Sequence, residues 1–120
     1  MRTSLQHRSV VFFVQDGCLV RIVAGKGGDD RTYTHRCAKQ AFETVAHAIA
    51  ETPREGDGTS LACIVRQEKL PFTQVNVALE FFKERGLVHV RHRRCFPASM
   101  DVYLDAMVEY HALADGDKMV

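Results

Sequence analysis

The sequence predicts a single α+β domain over residues 1–120: a β-hairpin, three helices, a second hairpin and a terminal helix, in that order. Three observations predict it. Asp16-Gly17 stands between two runs rich in β-branched residues, and Gly tolerates the positive φ that a tight type I′ hairpin turn requires. Between Leu61 and Val88 the apolar residues keep a three-and-four spacing but change phase once, at Lys69-Leu70-Pro71, so two helices meet there at a short turn. From Leu87 to Phe96 apolar and basic residues alternate until Pro97 stops the run, which reads as the second hairpin.

The first hairpin occupies residues 8–24. Its strands are apolar on both faces, so at least one face must pack on the helices, on another subunit or on a partner protein. Gly25-Lys26-Gly27-Gly28-Asp29-Asp30 follows as a flexible connector. It lacks the order of a phosphate-binding loop, because Lys26 precedes Gly27 and acids come next. The first helix is expected from Thr34, as N-cap, to Glu51, with Ala38, Phe42, Val45 and Ile49 as its core stripe. Pro53 and the polar run 54–58 end it. Thr59 or Ser60 caps the second helix, which buries Leu61, Ile64 and Val65, and the third buries Val75, Ala78, Leu79 and Phe82 before Gly86 ends it. The terminal helix is expected over 100–114, capped by Ser99 or Asp101. Leu104, Met107, Val108 and His111 or Ala112 share the face to be buried, in the domain or in a dimer, and 115–120 should fray.

The phase change at 69–71 matches a helix-turn-helix, in which one helix braces a second whose other face enters a DNA major groove. Thr73-Gln74-Val75-Asn76-Val77-Ala78-Leu79 and Glu84-Arg85-Gly86-Leu87-Val88, followed by a basic hairpin, resemble the winged helix-turn-helix transcriptional regulators over residues 33–96. The resemblance implies a winged-helix fold, a three-helix core with a C-terminal β-wing. It also implies a homodimer that places two recognition helices on double-stranded DNA. The candidate DNA-binding residues are then Thr73, Gln74, Asn76 and Val77 on the recognition helix and Arg91, His92, Arg93 and Arg94 on the wing. Gln74 and Asn76 suit paired hydrogen bonds to adenine, Thr73 a phosphate or a thymine methyl, and Val77 a methyl group. Val77 stands where the family commonly carries Arg or Lys, and Glu80 repels phosphate. The electrostatic grip would therefore come from the wing, helped by Arg66, Lys69 and Lys83.

Sixteen basic and fifteen acidic residues leave a formal charge of +1, so attraction to nucleic acid would rest on that local basic patch. Near-neutral charge also fits a second reading, a protein-interaction module that does not bind DNA and meets its partner through the apolar hairpin, Val77 and Phe81. No apolar run approaches the roughly 20 residues that span a bilayer, and the N-terminal stretch lacks a small-residue cleavage site, so a cytoplasmic protein is expected. Cys18, Cys37, Cys63 and Cys95 form no Cys-x-x-Cys pair, and Cys63 reads as a small buried hydrophobe on the second helix. His35-x-Cys37 and His92-x-x-Cys95 each offer two ligands where a structural zinc site needs four. No metal, cofactor or catalytic constellation is expected, and the chain is not read as an enzyme.

Overall fold

The computed structural model describes residues 9–25 and 31–118. The chain start, most of the glycine-rich connector and the last two residues lie outside them, and so do the readings made there. The elements are β1 (Val10–Gln15), β2 (Cys18–Ala24), β3 (Thr32–Ala38), α1 (Lys39–Ala50), α2 (Leu61–Glu68), α3 (Phe72–Glu84), β4 (Val88–Arg91), β5 (Arg94–Pro97) and α4 (Val102–Lys118).

The β1–β2 hairpin closes at Gln15 and Cys18, with Asp16 at φ 53° and Gly17 at φ 78°, as the Asp-Gly signal requires. Beyond it the chain departs from expectation. Instead of entering a helix at Thr34 it runs antiparallel to β2, from Ala24 paired with Thr32 to Cys18 paired with Ala38. Thr32, Tyr33 and Thr34 are strand-favouring residues, and their period is two: His35 and Cys37 turn inward while Thr34 and Arg36 face out. This strand also satisfies the backbone groups on the second edge of β2. Helix α1 accordingly begins at Lys39, and Ala38 becomes its exposed N-cap residue instead of a core position.

The expected architecture, a three-helix core followed by a β-wing, is thereby corrected. The order is a three-stranded sheet β1-β2-β3, then helices, then a two-stranded hairpin, then a terminal helix. Helix α3 is packed by β2 and β3 as well as by α1 and α2. It buries not only Val75, Ala78, Leu79 and Phe82 but also Val77 and Phe81, so apolar residues surround most of its girth. Phe42 of α1 joins the layers: its ring lies 5.8 Å from Phe81, 5.2 Å from Phe82 and 5.3 Å from Tyr110 of α4, and Phe12 of β1 meets Phe81 edge-on at 5.3 Å.

Lys69 makes the turn between α2 and α3 in the left-handed region, at φ 56°. A non-glycine residue there costs about 1–2 kcal/mol, while glycine gives back about 0.5–1 kcal/mol in chain entropy. Lys69→Gly is therefore expected to stabilise the fold by about 0.5–1 kcal/mol in urea unfolding, and a loss of stability would contradict this account of the turn.

Helix α4 extends through Lys118, past the expected end, and turns a different face inward. Val102, Ala106 and Tyr110 are buried, whereas Leu104 and Val108 are exposed. The sequence hides this phase because apolar and polar residues are both spread around the helix, so that no one side stands out. Two aromatic anchors decide it: Tyr110 donates to the Gly17 carbonyl at 2.7 Å, and Tyr103 stacks on His47 of α1 at 4.0 Å. Ser99 accepts from the Asp101 backbone N–H and donates to the Asp105 carboxylate, organising the helix start.

Candidate functional site

Along the inner face of the sheet Arg21 and His35 interrupt a run of apolar residues, with Val14, Leu19 and Cys37 on one side and Val10, Val23 and Tyr33 on the other. Arg21, central on β2 between Phe12 and His35, is only 6% exposed. Its Nη1 donates to the Glu80 carboxylate of α3, and its Nη2 lies 3.1 Å from His35 Nδ1. A guanidinium has donors only, so Nδ1 must accept and the imidazole carries its proton on Nε2. Arg21 Nε is buried with no hydrogen-bond partner among the described residues. Beside the cluster a cleft of about 450 Å³ opens between the sheet and α3, lined by Tyr33, His35, Asn76 and Glu80. Its buried cation is already matched by a carboxylate, so the cleft offers a mixed polar wall, not an anion site.

This packing fixes the fate of the α3 residues expected to read bases. Gln74 accepts a hydrogen bond from the Ala38 backbone N–H at 2.9 Å, an end-capping contact supplied from another helix. Asn76 is half-buried at the edge of the sheet cleft, and Thr73 is exposed near the helix start. Val77, expected toward the groove, is fully buried, because it belongs to the face that the sheet and the neighbouring helices cover. Phe81 is fully buried too and cannot present itself to a partner. Arg21 was not among the residues singled out from the sequence. Its signal was there in Leu19-Val20-Arg21-Ile22-Val23, a single cation inside an apolar central strand.

The basic hairpin divides in two. Arg91 donates to the Arg54 carbonyl at 3.0 Å with its guanidinium 3.9 Å from the centre of the Phe96 ring. Arg94 donates to the carbonyls of Asp57 at 2.9 Å and Gly58 at 3.3 Å. Both arginines thus strap the 54–58 loop to the hairpin, and the Thr59 and Cys95 backbones exchange hydrogen bonds at 2.9 and 2.7 Å beside them. His92 and Arg93 form the exposed tip, both left-handed, at φ 51° and 67°.

Cys63, expected as a buried hydrophobe, is half-exposed in the first turn of α2. Ser60 caps that turn, and Arg66 and Arg94 approach the sulfur at 3.7 and 3.8 Å. The Ser60 hydrogen bond, together with the two guanidiniums, pulls the thiol below its ordinary value of 9.0. Cys37 shows the opposite shift: burial, with a smaller contribution from Cys18, pushes it up to about 12. A lowered pKa means more thiolate at neutral pH, so iodoacetamide is expected to modify Cys63 several-fold faster than Cys37 or Cys95 in the folded chain. Arg94→Ala should slow that reaction. Equal rates at Cys63 and Cys37, read by peptide mass spectrometry, would contradict the arrangement. Among the described residues no three His, Cys, Asp or Glu side chains converge as metal ligands.

The outward face of α4 exposes large apolar side chains. Leu104 is 61% and Val108 57% exposed, with Met100 just ahead of the helix 85% exposed. Positions 101, 104, 108, 111 and 115 are all exposed and follow one another at alternating spacings of three and four. Such spacing draws a single seam along a helix. Among the described residues no helix is long and apolar enough to cross a membrane. No family model matches the chain, and no curated protein or solved structure is detectably similar to it.

Proposed function

We propose that this chain is a protein-docking module that meets its partner through the outward face of α4, not DNA through α3. The observation that carries the reading is the position of the sheet. It lies against the α3 face that would have to enter a groove, holding Gln74 through Ala38 and Glu80 through Arg21. Arg91 and Arg94 each direct part of the guanidinium to carbonyls of the 54–58 loop, which fixes how the remaining donors can be presented to phosphate. The outward face of α4 presents Leu104 and Val108 side by side, on a helix already anchored by its opposite face. Free thiols at Cys18, Cys37, Cys63 and Cys95 suit a reducing compartment, and we place the protein in the cytoplasm.

One observation favours transcriptional regulation by DNA binding as a second reading. His92 and Arg93 hold left-handed conformations that Asn-Gly would adopt without strain, so the hairpin keeps a cation at its tip at an energetic cost. That arrangement suits an anionic partner. Retention on a duplex-DNA or heparin column separates the two readings. The docking module is expected to elute at low ionic strength. Retention that falls steeply with salt, and is lost on Arg93→Ala, would instead establish the nucleic-acid reading.

A further inference from the structure

The seam on α4 is complementary to itself, and this points to its occupant. Read as a heptad, Asp101, Val108 and Asp115 take one core position and Leu104 and His111 the other, all of them exposed. In a parallel pair each residue would face its own copy, setting Asp101 against Asp101 and Asp115 against Asp115, with like charges stacked in an apolar seam. In an antiparallel pair centred level with Ala106 the two kinds of position alternate across the interface. Leu104 then meets Val108 of the other copy, and Asp101 meets His111, twice over by the two-fold symmetry.

We infer that the partner of this face is a second copy of the chain, joined through an antiparallel α4–α4 contact with Leu104–Val108 layers at its centre and Asp101–His111 pairs at its ends. The inference rests on the docking reading above and names that surface's partner. Tyr110 and Tyr103 leave α4 free to do this, because their anchoring to Gly17 and His47 fixes the helix by its other side. Glu109 is engaged with Arg85 at 3.3 Å and Asp105 with Ser99, which keeps two further carboxylates tied within their own chain. With two apolar layers the association is weak, in the micromolar range or above.

Sedimentation equilibrium of the full chain at concentrations up to about 0.5 mM tests it. The expected result is a reversible species of twice 13.5 kDa. Leu104→Asp should raise the dissociation constant at least about 100-fold, with an unchanged far-UV circular dichroism spectrum. The direction of the pair is read from charge exchange. Asp101→Lys alone and His111→Asp alone should each weaken the dimer, and the double variant should restore it, because the exchanged charges at the two positions would then pair between opposite chains. Absence of that rescue overturns the antiparallel register. A dimer indifferent to Leu104→Asp overturns the α4 seam. A chain that stays monomeric at every concentration overturns self-association, while the docking reading itself falls only to salt-dependent retention on DNA.

Discussion

Glu80→Ala is expected to destabilise the chain by about 2–4 kcal/mol in urea unfolding, a large effect for a half-exposed surface carboxylate. The reason lies in its partner. Arg21 is 6% exposed on the central strand, and the Glu80 carboxylate is its only countercharge among the described residues. Removing one member of a buried pair typically costs about 3–5 kcal/mol, because the remaining ion stays desolvated. Water can reach the Glu80 side, whose side chain is 44% exposed, so the expected loss falls somewhat below that range. His35 cannot compensate, since it accepts only one of the guanidinium donors. Replacing both ions, Arg21→Met with Glu80→Met, should recover most of the loss, because the site then has nothing charged to solvate. A loss below about 0.5 kcal/mol for Glu80→Ala would mean that the sheet does not depend on α3 for this contact.

Gly58→Ala should cost about 2–4 kcal/mol, lowering the midpoint of thermal unfolding by roughly 10 °C. Gly58 sits at φ +70°, and a Cβ there would stand 2.7 Å from the Phe96 ring and 2.9 Å from the Cys95 carbonyl. The ring could swing aside, but the carbonyl belongs to the β5 backbone and is held by the Thr59 pairing. Conformational strain and overpacking therefore add. Gly56 supplies the control. At φ +111° it is strained for any side chain, yet nothing lies within 4 Å of its Cβ position, so Gly56→Ala should cost only about 1 kcal/mol. Equal effects at the two positions would contradict the close packing of the loop on the hairpin.

Local grammar made part of this fold legible. Asp16-Gly17 placed the first turn, Pro71 the start of α3 and Gly86 its end, and the spacing of Val75, Ala78, Leu79 and Phe82 marked a face that is buried. What escaped was decided by partners distant in sequence. Thr32–Ala38 is too polar to announce itself as a strand, and becomes one because β2 offers an edge with matching register. The same event brings Ala38 to Gln74, while Glu80 meets Arg21 of β2 and Val77 goes inside. Arg21 and Glu80 are 59 positions apart, and Arg94 reaches carbonyls 36 and 37 positions away. No spacing rule brings such pairs together. The face of α4 escaped for a different reason: a helix with apolar and polar residues spread around it has no preferred phase until Tyr103 and Tyr110 find their places.

β3 packs along α3 and ties Gln74 to its end, and the proposed docking role depends on that arrangement. The Ala38 amide reports on this directly, because its residue is exposed and its only shelter is the 2.9 Å hydrogen bond to Gln74. Amide hydrogen exchange followed by NMR should find Ala38 protected in the native chain and exchanging freely in Gln74→Ala, with the β2–β3 amides still protected. An Ala38 amide that exchanges at the unprotected rate in the native chain would place α3 in the open and contradict the account.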